Sequence, residues 1–167
     1  MKIALIGYIG AGCSEVAEIL ASKFKLEIVN TSRIIESIKD FGSLSKSGEI
    51  DWDIVIKTKL EESLEEDNVI VEGRSAFMLL DRRDLIKIFL NAPSEDRIKH
   101  LAKRRGIPIE KAREDIERSD EERNHLIQRF FKKNYLDPTN FDFSIKTSSK
   151  TFSKIADIIA EVIKMAL

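Results

Sequence analysis

Gly7-Tyr8-Ile9-Gly10-Ala11-Gly12-Cys13-Ser14 lies between an apolar run, Ile3 to Ile6, and a helical pattern that begins near Glu15. Strand, glycine-rich loop and helix in that order are the setting of a phosphate-binding loop. The glycines let the backbone curl so that several N–H groups point inward, and the helix start adds its own unpaired donors and positive dipole end. Gly7, Tyr8, Ile9, Gly10, Ala11, Gly12, Cys13, Ser14 and Glu15 are therefore expected to hold a polyphosphate, with Mg²⁺ on the Ser14 hydroxyl. The pattern G-x-x-x-x-G-K-[ST] is met at Gly7, Gly12 and Ser14, but Cys13 occupies the lysine position. The plain alternative is a tight strand-to-helix turn that binds nothing, with Cys13 a small buried thiol. Thiol chemistry at a helix start is a further option for Cys13, but no second cysteine exists to resolve an oxidised form.

Outward from the loop, apolar runs alternate with helical spacing. Val16, Ile19, Leu20 and Phe24 recur at helical period, and Leu26 to Val29 is a second short strand. Any of Asn30, Thr31 and Ser32 can cap the helix marked by Ile34, Ile35 and Ile38. Phe41 to Glu49, with two glycines and three serines, reads as a loop. Ile54, Ile56, Leu60 and Leu64 restore a helix before the third strand, Val69 to Val71. Leu85 to Leu90 is a fourth strand, followed by a helix capped by Ser94 that ends at Gly106-Ile107-Pro108. A charged, interrupted helical segment is expected over Ile109 to Lys133, then a strand over Phe141 to Ile145 and an amphipathic helix over Thr151 to Met165. The apolar positions between Ala112 and Leu126 are thin, which points to mobility there. Strands that alternate with helices imply right-handed crossovers and a five-stranded parallel sheet covered on both faces.

Length and composition bound the function. One domain, residues 1–167, is long enough to bury a core without staples. The single cysteine excludes an internal disulfide, and no leader or apolar run of about 18 residues is present, so the expected location is cytoplasmic. Although 34% of residues are charged, the net charge is only -1, which argues against a nucleic-acid or membrane partner. Between Glu95 and Lys133 there are twelve Lys or Arg and nine Asp or Glu, so positive charge gathers in that segment.

Glu72-Gly73-Arg74 follows the third strand at its carboxyl end, where an open α/β sheet keeps its ligands. There Arg74 can grip a phosphate with two parallel hydrogen bonds, or simply form a surface ion pair. Glu72 either holds a metal ion through water or pairs with a base. Arg104, Arg105, Arg113, Arg118 and Arg123 provide positive charge of the kind phosphoryl transfer needs, or pair with neighbouring carboxylates along the helix. His100 and His125 lack a partner at metal-ligand spacing and read as structural. Trp52 reads as a packing group more than as the wall of an acceptor pocket.

Together, the glycine loop, Asn30-Thr31-Ser32, Val71-Glu72-Gly73-Arg74, Leu90-Asn91-Ala92-Pro93 and the Arg-x-x-x-x-Arg of Arg118 and Arg123 resemble the cytidylate kinase family, in particular its short archaeal-type members. The resemblance spans nearly the whole chain. It implies a nucleoside monophosphate kinase fold with a helical acceptor-binding insert over about residues 31–66 and a lid over about 104–123. It also implies transfer of the γ-phosphate of Mg²⁺-ATP to a nucleoside monophosphate, CMP or dCMP first. Carried over by position, Arg74 meets the acceptor phosphate, Ser32 and Arg33 stand where the family cradles the acceptor, and Arg118 with Arg123 stabilise the moving phosphoryl. Three positions depart from the family pattern: Cys13, Ser32-Arg33 and Ser75. Loss of one charge-stabilising donor such as the loop lysine typically costs about 100- to 1,000-fold in rate. An ATP-binding pseudokinase and a small-molecule kinase with a non-nucleotide acceptor are the alternatives, and monomer and dimer stay equally open.

Overall fold

The computed structural model describes residues 1–46, 48, 50–131 and 134–166. Five strands form one parallel sheet: β1 (Lys2–Gly7), β2 (Glu27–Val29), β3 (Val69–Glu72), β4 (Ile86–Asn91) and β5 (Phe143–Lys146), in the order β2-β3-β1-β4-β5. β1 pairs with β3 through Ala4 and Val71 and with β4 through Leu5 and Ile88. The central strands are apolar on both faces because helices cover both, as expected for a parallel sheet. One face carries α1 (Cys13–Phe24) and α7 (Phe152–Ala166), packed through Val16, Leu20, Ile155, Ile159 and Ile163 onto Ile3, Leu5 and Ile88. The other buries Ala4, Ile6 and Val71 under α2 (Thr31–Ser37), α4 (Trp52–Ser63) and a 3-10 segment over Gly73–Leu79.

Local chemistry accounts for two of the helix starts. The Asn30 side chain accepts the N–H of Arg33 and so caps α2, and Asp51 does the same for α4 through Ile54. Ser94 does not cap α5 (Ser94–Arg105); it is the first helical residue, and Pro93 precedes it with no side-chain cap. Within the stretch read as a loop, Phe41–Leu44 closes a short helix, α3, and Phe41 meets the Trp52 ring edge-on at 4.4 Å. Ser47 and Glu49 of that stretch lie outside the described residues.

The charged segment is one continuous helix, α6 (Ile109–Phe130), rather than an interrupted one. Lys132 and Lys133 lie outside the described residues. Ala112 and Ile116 pack with Ile98, Leu101 and Ala102 of α5 in a small core of their own, and Leu126 and Ile127 join the main core. Between those two apolar anchors the helix is held by buried polar groups: Arg97 of α5 makes a paired bond to Asp120 at 3.0 and 2.7 Å, and Arg123 reaches the glycine loop. Among the described residues, no helix is long and apolar enough to cross a membrane.

Candidate functional site

Every strand of the sheet points its carboxyl end to the same edge, and the connections after β1, β2 and β3 converge there on one cavity of about 320 Å³. Its floor is the loop after β1. Gly10 and Gly12 adopt φ of 82° and 94°, the left-handed region that an L side chain resists. Space forbids a side chain as well: a Cβ on Gly10 would lie 2.6 Å from the carbonyl oxygen of Arg97, and one on Gly12 would lie 2.2 Å from the ring of Phe152. The loop is therefore clamped between α5 and α7, and its curl follows from positions that only glycine fills.

Cys13 opens α1 and is buried, its sulfur turned under the loop to within 2.6 Å of where a Gly7 Cβ would be. Burial pushes its thiol up to about 12; the neighbouring Glu72 charge adds to this, while Arg123 and a hydrogen bond from the Gly73 N–H oppose it. The thiol is thus neutral at pH 7, opposite to the depression a helix start alone would cause.

Around the loop the side chains form linked groups. Ser14 Oγ donates to Glu72 Oε2 at 3.2 Å, and Asn30 Nδ2 donates to Glu72 Oε1 at 2.8 Å, so the ends of β1, β2 and β3 are tied through one buried carboxylate. Arg74 lies across the cavity mouth and pairs with Glu122 of α6 at 3.2 Å. Arg123, 3% exposed, donates to the carbonyl of Gly7 and lies over the rings of Tyr8 and Phe77 at 5.3 and 4.9 Å. The Tyr8 hydroxyl bonds to Tyr135 and Asn124, and burial together with the Tyr135 bond raises its pKa. A second cavity, of about 210 Å³, shares Gly10 with the first and is lined by Ala92, Asp96, His100, Phe152 and the turn Thr147–Lys150. Ser148 Oγ is buried there with no partner.

The profile of the cytidylate kinase-like family matches residues 52–149, more than half of the chain. The chain is 32% identical to the cytidylate kinase of Sulfolobus acidocaldarius, with 98% of this chain and 94% of that protein covered. The chain belongs to the cytidylate kinase-like family. The cytidylate kinase of Methanopyrus kandleri is 33% identical, with 90% of this chain and 89% of that protein covered. The fold extends further: shikimate kinase from Acinetobacter baumannii in complex with shikimate superposes with a TM-score of 0.66 at 17% identity, over 99% of this chain and 93% of that one.

In this member of the family, the residues expected from sequence divide into those that line the main cavity and those that do not. Gly7, Tyr8, Ile9, Gly10, Gly12, Cys13, Ser14, Ser32, Glu72, Arg74 and Arg123 line it. Ala11 is buried in the core beneath the loop, and Glu15 faces away toward His100 and Arg104, at 2.8 and 3.3 Å. Although burial works against it, the helix N–H, His100 and Arg104 hold Glu15 below the usual carboxylate range. Arg33 turns back to the carbonyl of Ile28 at 2.9 Å, and Arg118 is exposed, 2.6 Å from Asp115; neither lines the cavity. Arg104 and Ser119 do line it, as do Asn30 and Thr31. Periodicity marks none of these, nor the Arg97–Asp120 pair behind the loop. Asn30 and Thr31 follow the carboxyl end of a strand and Ser119 and Asp120 lie within the Arg-x-x-x-x-Arg pattern, whereas Arg97 and Arg104 carry no signal beyond being cations of the charged segment.

Chemically, the arrangement gathers the glycine loop, a helix start and three guanidinium groups about one cavity, a setting for anionic ligands. Ser14 and Glu72 present hard oxygen donors at its edge. Among the described residues, no three His, Cys, Asp or Glu gather to hold a metal by themselves. One hydroxyl and one carboxylate suit Mg²⁺, which keeps most of its coordination for water and substrate phosphates.

Proposed function

We propose that the protein transfers the γ-phosphate of ATP to a nucleoside monophosphate, with CMP and dCMP the first candidates. The observation that carries this reading is that the glycine loop and Arg74 line one cavity, so that a triphosphate on the loop and a monophosphate at Arg74 would meet end to end. Membership of the cytidylate kinase-like family supports it.

In this assignment the loop N–H groups from Tyr8 to Ser14 cradle the donor phosphates. The base of the donor occupies the neighbouring cavity, where Gly10 is the shared wall and the Thr147–Lys150 turn supplies polar groups. Ser14 and Glu72 would hold Mg²⁺, which when bound neutralises polyphosphate charge. Arg74 takes the acceptor phosphate, and exchanges its Glu122 partner for it. Asn30, Thr31 and Ser32 at the start of α2 form the acceptor side. The attacking oxygen of a monophosphate is already anionic at neutral pH, so the protein needs no general base and acts by position and charge. Arg104 and Arg123 flank the moving phosphoryl. Arg118 and Arg33, which bond elsewhere, are left out of this site.

A coupled assay of ADP release with CMP, dCMP, UMP and AMP tests the reading. Transfer to one or more of the four, with the matching diphosphate found by mass, is expected. Silence with all four by a protein that binds Mg²⁺-ATP would overturn it in favour of a nucleotide-binding protein without transfer activity, or a kinase for a non-nucleotide acceptor.

A further inference from the structure

The loop lacks its usual cation, yet a cation lies beside it. Arg123 reaches the loop from α6, 116 residues away in sequence, and donates to the carbonyl of Gly7, the residue where the loop begins. Only 3% of it is exposed, and it borders the phosphate cavity. Arg97, Arg104 and Arg118 each bond to a carboxylate, whereas Arg123 has no carboxylate partner among the described residues, and its Nε is buried with no partner at all. Two aromatic faces compensate part of the charge. A buried guanidinium so weakly countered is costly unless an anion completes its surroundings. Burial draws its pKa down to about 10, which still leaves it protonated at neutral pH.

We propose that Arg123 is the resident cation of the phosphate loop, standing in for the lysine that Cys13 displaces, and that Cys13 and Arg123 form a matched pair. The inference rests on the nucleotide reading given above. Cys13 contributes by being small and neutral: its sulfur tucks under Gly7 and leaves the space beside the loop to the guanidinium. A lysine at position 13 would set a second cation beside Arg123, with Glu72 as the carboxylate that acts most strongly on that position. Arg123 is carried on α6, whose Ala112, Ile116, Leu126 and Ile127 are packed in apolar clusters on either side of it. Asp120, one turn before Arg123, holds Arg97, and Arg97 donates to the carbonyl of Ile9 in the same loop at 3.3 Å.

Calorimetric titration with Mg²⁺-ADP, which binds without turnover, tests the pairing in the wild type, Arg123→Met, Cys13→Lys and the double variant. Methionine keeps the packing against Tyr8 and Phe77 while removing the charge. Arg123→Met is expected to bind ADP about 10- to 100-fold more weakly, as for loss of a charged hydrogen-bonding partner. Its urea unfolding should remain one cooperative transition, because the apolar contacts of α6 and the Asp120–Arg97 pair still hold the helix. Cys13→Lys alone should bind no tighter than the wild type, whereas adding Cys13→Lys to Arg123→Met should restore affinity to within about 5-fold of the wild type. Arg123→Met that binds within 2-fold of the wild type would overturn the inference, as would a double variant no better than Arg123→Met. An Arg123→Met protein that loses its fold would also overturn it, since Arg123 would then be structural. A wild type that takes up no ADP would instead overturn the nucleotide reading on which the inference rests.

Discussion

Cys13 is the residue at which this chain parts from the phosphate-loop pattern, and its ionisation is set by tertiary surroundings, not by the helix it begins. Burial disfavours the thiolate most, Glu72 and Glu15 add to it, and together they outweigh Arg123 and the Gly73 N–H, so the pKa rises to about 12. A group whose folded pKa lies above its unfolded value contributes stability below the unfolded pKa and loses it as pH rises toward the folded one. The unfolded thiol ionises near 9, so between about pH 9 and 10 the wild type should lose about 1 kcal/mol of stability as the unfolded chain releases most of one extra proton. Urea unfolding at pH 8, 9 and 10 checks this against Cys13→Ala, whose stability should be flatter over the same interval. Identical slopes in the two proteins would contradict it. The neutral thiol also explains why Cys13 is a poor candidate for redox control despite its place at a helix start.

At the scale of the element, α6 shows how a helix with few apolar positions is still held. Its apolar contacts lie at Ala112 and Ile116 near one end and at Leu126 and Ile127 near the other. The thin middle that suggested mobility carries Asp120 and Arg123, two polar anchors with partners on α5 and the glycine loop. Asp120→Ala leaves Arg97, only 7% exposed, without its carboxylate, and should cost about 2 to 4 kcal/mol in urea unfolding. Replacing both partners, Arg97→Met with Asp120→Leu, should recover at least half of that loss, because no charge is left unpaired. A cost below about 0.5 kcal/mol for the single change would place the pair with exposed ion pairs and remove it as an anchor. Sequence could not reveal this anchor. Arg97 and Arg113 are equivalent in type and setting, yet one is buried against Asp120 and the other pairs with Glu95 on the surface, a choice made by the crossing of two helices.

Across the whole molecule, five parallel strands deliver five connections to one edge, and the two cavities that meet at Gly10 are a consequence of that order. The strands and most helices were legible because they are written locally, in apolar runs of three to six residues such as Ile3 to Ile6 and in glycines that interrupt them. The loop was legible for the same reason. Which arginine faces it was not: Arg118 and Arg123 look alike in the chain, yet one bonds within its own helix to Asp115 and the other reaches Gly7. The turn after β5 was illegible too, since Thr147 to Lys150 carries no pattern until the sheet places it beside Gly10. What all of these placements have in common is a loop able to surround a chain of phosphates, and that is directly measurable. Addition of Mg²⁺-ATP to ¹⁵N-labelled protein should shift the backbone amide resonances of Gly10, Gly12, Cys13 and Ser14 more than those of β2 or α4, in a saturable way. Amides of the loop that stay in place at millimolar Mg²⁺-ATP would contradict the account at its root.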